Sequence, residues 1–322
     1  MARILEALIG HRDRMEPLLT AHEKGRLASA LLFAGPAGVG KKFAARGLAQ
    51  VLVCERGNPR AACGECGPCV RIEKGQSEDL LEIAPEGSQI KVEQIRDVIK
   101  FISLQKLGRA RVVIIDEAHL MGPQAANALL KSLEEPPPGT YFILVTASAG
   151  AMLATIRSRT QLVRFSPLEK EELAKILGPS ADPWVIESAH GSVETAERLS
   201  ASREEFEELE RAIVEYLTVA RARLPLDEAA KLKTLTKDRT AQAFVTTWLG
   251  NLVRDALRVQ AGLSPLSGPF WEQTAPAFLN LSSARLFELA DASLQLEADL
   301  ARNIDRGLAF ENFALLLREG EA

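Results

Sequence analysis

The chain has 322 residues, 47% of them hydrophobic and 25% charged, with a formal net charge of −4. That is ordinary globular composition with room for two or three domains, and it lacks the overall basic field that would by itself announce a nucleic-acid binder. No apolar run approaches the roughly 18 residues of a membrane span. The first residues, MARILEALIGHRDRMEP, carry charges throughout and lack a signal-peptide core. A cytoplasmic protein with no membrane partner is therefore expected, and its four cysteines need a role other than disulfides.

Residues 1–30 read as helical. Leu5, Leu8 and Ile9 give a short apolar face, Gly10 breaks it, and 14–28 continue with Leu18, Leu19 and Leu27. This segment either simply packs before the first strand or sets Ile9, Gly10 and His11 beside an adenine base. Residues 31–34 form an apolar run that predicts a buried strand, and a helical pattern resumes through Ala44, Ala45, Leu48 and Ala49. Between them lies Gly-Pro-Ala-Gly-Val-Gly-Lys-Lys, with Gly35, Gly38, Gly40, Lys41 and Lys42 as candidate nucleotide-binding residues. Glycines let backbone N–H groups converge on phosphates, the helix N-terminus adds a positive dipole, and Lys41 adds a charge. The pattern asks for Ser or Thr after that lysine, to hold Mg²⁺, and this chain has Lys42. One catalytic part is missing from an otherwise intact phosphate loop.

Cys54, Cys63, Cys66 and Cys69 follow within CERGNPRAACGECGPC. Two-residue gaps bring thiolates close enough to share one tetrahedral ion, with Gly64, Gly67 and Pro68 making tight turns. A redox Cys-x-x-Cys would use two thiols, not four. The expected cofactor is Zn²⁺, structural because four thiolates leave no open position.

Residues 88–106 resume a helical pattern, and 111–115 form a continuous β-branched run, a buried parallel strand. It ends in Asp116-Glu117-Ala118-His119. Asp116 is placed to hold Mg²⁺ through water and Glu117 to polarise an attacking water; the plainer alternative is an acidic pair capping the next helix. A helix over GPQAANALLKSLEE is stopped by Pro136, Pro137 and Pro138. Residues 141–145 read as another buried strand. Thr146 at its end serves either a γ-phosphate or a cap. After Ile-Arg-Ser-Arg-Thr-Gln at 156–161, a last short strand holds Leu162, Val163 and Phe165.

GPAGVGKK, the four-cysteine insert, DEAH, NALLKSLEEPPP and IRSRTQ occur in this order, and in that order the chain resembles the clamp-loader subunits of bacterial DNA polymerase III, of the AAA+ class. The likeness covers roughly residues 5–165. The last motif departs from the family's Ser-Arg-Cys, with Thr160 replacing the Cys. The resemblance implies that Arg159 reaches across a subunit interface to the neighbour's ATP as an arginine finger. In the family's motor members a Gly-x-x-Arg pattern supplies a second nucleotide-contacting arginine. Here the comparable residues run Gly191 to Glu194, and a glutamate repels phosphate. The hydroxyl at 42 and the arginine at 194 are both absent, so a non-motor member is implied, with an active motor subunit as the alternative.

From Arg203 the chain reads as helical. Phe206, Leu209, Ile213, Val214 and Leu217 form one stripe, and Phe244, Trp248, Leu249, Leu252, Val253 and Leu257 another. A loop at 262–269 precedes a helix carrying Leu286, Leu289, Ala290, Leu294 and Leu296, and residues 303–307 interrupt before the last helix. The resemblance implies that this block builds a collar in a hetero-pentameric ring with gamma/tau and delta subunits. The sliding clamp and primed DNA would be met through the assembly. The expected organisation is a parallel-sheet α/β domain over 1–165 with its zinc insert at 54–69, a helical lid over 166–202, and a helical collar over 203–322. Lys91, Arg96, Lys100, Lys106 and Arg109 are either a solvated helix face or non-specific DNA contacts.

Overall fold

A computed structural model describes residues 3–104, 108–301 and 305–318. The chain divides into two compact units, Met1–Arg198 and Leu199–Ala322. The helices that follow residue 166 fall in the first unit up to Arg198.

In the first unit α1 (Arg12–Glu23) precedes β1 (Ala30–Ala34), and α2 (Lys41–Val53) and α3 (Gly67–Glu73) lead to β2 (Leu80–Ile83). Then come α4 (Val92–Ser103), β3 (Arg111–Ile115), α5 (Pro123–Glu134), β4 (Thr140–Thr146), α6 (Ala154–Arg157) and β5 (Gln161–Arg164). Three short helices follow: α7 (Lys170–Leu177), α8 (Pro183–Ser188) and α9 (Val193–Ala201), the last running past the end of the unit at Arg198. The strands pair in parallel, in the order β2-β3-β4-β1-β5.

Both faces of the sheet are covered at its three inner strands, which is why 30–34, 112–115 and 142–145 are apolar at every position instead of every second one. Leu31, Phe33, Val112, Ile114, Ile143 and Val145 pack on one side, with Leu48 and Leu52 of α2. Ala30, Leu32, Val113, Ile115, Phe142 and Leu144 pack on the other, with Ile95 and Val98 of α4 and Leu129 of α5. The expected parallel-sheet α/β fold is therefore present. The topology also orders the strand ends. β4 lies between β1 and β3, so the loop after β1, Thr146 and the Asp116-Glu117 pair come out along one edge of the sheet.

The helical segment expected over 14–28 is shorter at its end. α1 ends at Glu23, and Gly25 (φ +63°) turns the chain in the left-handed region just beyond the Lys24 cap. Residues 3–9 form turns, not a helix, yet Ile4 and Leu8 are buried. Gln50 explains how that turn is held. Its side chain is fully buried, its Oε1 accepts from Ile4 N at 3.0 Å, and its Nε2 donates to Cys69 O at 3.2 Å. One amide thus joins the N-terminal segment, α2 and the cysteine loop. Gln50→Leu strands a buried N–H and a buried carbonyl, and thermal or urea unfolding should register a loss of about 1–3 kcal/mol.

The second unit contains α10 (Arg203–Ala220), α11 (Leu226–Leu235), α12 (Arg239–Gln260), α13 (Gly268–Thr274), α14 (Ser283–Ala301) and α15 (Arg306–Arg318). The first stripe is buried at Phe206, Leu209, Ile213 and Leu217, with Tyr216 added and donating to Phe310 O at 2.6 Å; Val214 is half-buried. Trp248 is a core residue, 4.2 Å from Phe270 and 5.9 Å from Phe244 between ring centroids. Leu294 departs from expectation and is 67% exposed. The inward face of α14 runs through Leu286, Leu289, Ser293, Leu296 and Leu300, and Leu294 lies about 100° of helix rotation beyond Ser293. Residues 303 and 304 of the expected break lie outside the described residues.

Candidate nucleotide site and metal centre

The loop from Gly35 to Gly40 leaves β1 and enters α2. Gly40 caps that helix in the left-handed region (φ +93°) with no side-chain cap, so the first N–H groups of α2 face the loop. Two glycines are required by close approach. A Cβ on Gly35 would lie 2.1 Å from Phe165 O, and one on Gly38 (φ +71°) 2.2 Å from Ser192 Oγ. Gly38 O also accepts from Val193 N at 2.9 Å, so the start of α9 is fastened directly to the loop.

Lys41 is buried, its Nζ donating to Gly35 O at 2.7 Å and to Pro36 O at 2.5 Å. Burial pushes its pKa down, and the carboxylates of Glu117, Asp116 and Glu194 oppose that. Lys42 Nζ lies 3.0 Å from Asp116 Oδ2 and 4.0 Å from Glu82 Oε2, and Arg46 grips Glu82 through Nε at 2.6 Å and Nη2 at 2.8 Å. Glu117 sits at φ +46°, uncommon for a residue with a side chain. Burial pushes its carboxyl up, and His119 pulls it back.

Sequence reasoning gave His119 and Glu82 no role. His119 Nδ1 is 3.1 Å from Thr146 Oγ1 and 3.5 Å from Glu117 Oε2, bridging the ends of β3 and β4. Thr146 Oγ1 also exchanges hydrogen bonds with Ser148 at 3.1 Å, closing a local turn. The signals were present: a histidine next to an acidic pair, and one glutamate in Leu-Leu-Glu-Ile.

Gly38, Gly40, Lys41, Lys42, Asp116, Glu117 and Glu194 meet around one cavity of about 470 Å³. Its lining also includes the apolar Ala7, Leu8, Ile9, Leu168, Ile176 and Val193. Ile9, one of the three residues considered for the base, is among the lining residues. His11 is set back, with Nε2 3.1 Å from Val39 O and its ring edge-on to Phe165.

Arg159 lies elsewhere, on the turn after α6, with a third of its side chain exposed. Its Nε and Nη2 meet Glu134, the last residue of α5, and its Nη1 donates to Thr155 O at 3.0 Å.

The four cysteines do come together, with all Sγ atoms within 4.8 Å of one another. Cys63 Sγ to Cys69 Sγ is 3.9 Å, close to the edge of about 3.8 Å that Zn–S bonds of about 2.3 Å give a tetrahedron. Backbone N–H groups already point at sulfur: Cys63 N to Cys54 Sγ at 3.3 Å, and Glu65 N and Cys66 N to Cys63 Sγ at 3.4 and 3.2 Å. Desolvation pushes the Cys63 thiol up, but the Glu65 and Cys66 N–H donors and the thiols of Cys66 and Cys54 bring it down to about 6. This donor set fits a cation, and Cys54, Cys63, Cys66 and Cys69 would hold it.

Three of the cations considered for DNA contact are paired within the chain. Lys91 meets Glu86 at 3.2 Å, Arg96 meets Glu93 at 3.7 Å and Lys100 meets Asp97 at 2.9 Å. Arg109 lies over Gly57, and Lys106 lies outside the described residues.

A phosphate loop and an acidic strand end separated by an inserted strand, with helices folded back onto the loop, define the AAA+ class of nucleotide-binding proteins. Residues 10–169 match the family described as DNA polymerase III, delta subunit. The DNA polymerase III subunit tau of Salmonella typhimurium is 38% identical over 167 residues, 52% of this chain and 26% of that protein. The DNA polymerase III subunit delta' of Pseudomonas aeruginosa is 41% identical over 135 residues, 41% of each chain. A solved gamma-subunit-related protein of Thermotoga maritima aligns over 96% of this chain and all of its own, at 18% identity and a TM-score of 0.45. Over its matched residues the chain belongs to the clamp-loader subunits of DNA polymerase III. It spans about a quarter to two-fifths of the length of these curated relatives.

Proposed function

We propose that this chain is the delta-prime subunit of the clamp loader, acting as stator and arginine-finger donor while its own site turns over little or no ATP. The observation carrying the reading is Lys42, whose ammonium is paired with Asp116 at 3.0 Å. A motor site needs a hydroxyl there to ligate Mg²⁺, and an ammonium has no lone pair to offer. Glu194 supports the same reading. It lines the cavity in the first turn of α9, where an acid suits the helix dipole and not a phosphate. Arg159 is the residue assigned to the neighbour's site.

In this reading residues 1–165 form the nucleotide-binding domain, 166–202 the lid and 203–322 the collar that joins gamma/tau and delta subunits in the ring. The sliding clamp and primed DNA are met through the assembly. The work is cytoplasmic, and no helix among the described residues is long and apolar enough to cross a membrane. The cysteine cluster holds structural Zn²⁺. That ion supplies cross-linking of the insert and no chemistry at the nucleotide.

The second reading is a gamma/tau-like motor, favoured by the convergence of Lys41, Asp116 and Glu117 on one cavity. Reconstituted loader carrying Lys41→Ala in this chain separates the two. Under the stator reading, turnover falls far less than when a motor subunit loses its own phosphate-loop lysine. An equal collapse favours the motor.

A further inference from the structure

A phosphate loop of this class ordinarily binds its nucleotide with a divalent cation, held between the hydroxyl after the loop lysine and the acidic strand end. The residues here do not fit that ion. The position after Lys41 carries an ammonium, and Lys42 Nζ already stands 3.0 Å from Asp116 Oδ2 and 4.0 Å from Glu82 Oε2. Mg²⁺ requires an octahedron of oxygen ligands, and here it would meet a fixed positive charge in place of a ligand.

What fits a polyphosphate is nevertheless intact: the uncapped N-terminus of α2, the left-handed turns at Gly38 and Gly40, and Lys41 resting on loop carbonyls that a phosphate oxygen can replace. The cavity of about 470 Å³ lies within the usual range for small-molecule sites, about 300–1,000 Å³. Ile9, Leu168 and Ile176 add apolar lining suited to a base and sugar.

We infer that this pocket takes a nucleoside diphosphate without any divalent cation, the Lys42 ammonium standing in for the metal. The Lys42 side chain, tethered between Asp116 and Glu82, presents its charge to the outer phosphate, while Lys41 and the α2 N–H groups receive the inner one. Glu117, Glu194 and Glu197 also line the cavity. Their charge opposes a third, metal-free phosphate, so the shorter chain is the better fit. Bound this way, the nucleotide would be a lasting structural ligand and not a fuel.

This inference rests on reading the cavity as the nucleotide pocket of a non-hydrolysing subunit. Its test is equilibrium binding of ADP to the purified full chain, in EDTA and then in excess Mg²⁺, by calorimetry and by the shift in melting temperature. The expected result is binding in EDTA that Mg²⁺ does not improve. Lys42→Thr restores a magnesium ligand and removes the ammonium. ADP affinity in EDTA should then fall roughly ten- to hundredfold, the loss of one charge-assisted contact, and Mg²⁺ should recover it. Binding by the unaltered chain only with Mg²⁺, or no ADP binding in either condition, overturns the inference. The comparison on the unaltered chain stands even if the variant folds poorly. Failure here leaves the arginine-finger reading intact, because that is measured on the neighbour's turnover.

Discussion

Arg159→Ala, placed in an otherwise complete loader, is expected to leave this chain folded and to cripple ATP turnover at the neighbouring site. Arginine fingers contribute roughly 10³–10⁵ in rate by stabilising charge as the phosphoryl group departs, so the loss at that one site should approach 10³-fold. Little structure is at stake. Arg159 sits on the turn after α6, and its partner Glu134 is half exposed, a pair whose contribution to stability is about 0–1 kcal/mol. The same weakness lets the guanidinium leave Glu134 for a more highly charged phosphate. DNA-stimulated hydrolysis and clamp loading by the reconstituted assembly are the readouts. Unchanged rates with Arg159→Ala would remove the finger role.

Replacing Cys69 by Ser should abolish metal binding and unfold the insert. Four thiolates around one Zn²⁺ fold small modules with apparent binding energies of about 10–16 kcal/mol, and this cluster is joined to the core through buried Cys54 and Cys69. Gln50 carries the damage inward, because its amide donates to Cys69 O and accepts from Ile4 N. Metal analysis should find one zinc per chain in protein purified reduced and without chelator, and none in Cys69→Ser. Thermal unfolding and proteolysis near 54–73 should show the variant loosened there while the sheet persists. A metal-free chain that melts like the untreated protein would contradict the structural role.

Much of this was legible in the residues, and each illegible part has a physical cause. The apolar run 112–115 ending in Asp116-Glu117 announced a buried strand with a carboxylate at its tip, because the middle of a strand covered on both faces is apolar on both. β2 was not read. It is a short edge strand, mostly half-buried, whose Glu82 turns toward Arg46 and Lys42, so neither alternation nor an apolar run marks it. α3 was hidden because Gly67 and Pro68 read as turn residues, although proline is well suited to the first helical position. The Lys42 substitution was plain in the sequence. Only the fold brought it against Asp116, and only the fold set His119 between Thr146 and Glu117. Leu294 was misplaced for the opposite reason: apolar spacing on a long helix does not say which stripe faces inward.

On the stator reading, a site with Lys42 against Asp116 does not run the reaction that Arg159 assists next door. Steady-state hydrolysis of magnesium–ATP by the purified chain alone tests it most directly. Phosphate release should be no faster than from buffer, with no stimulation by primed DNA. Sustained turnover by the lone polypeptide, lost on Lys41→Ala, would contradict it.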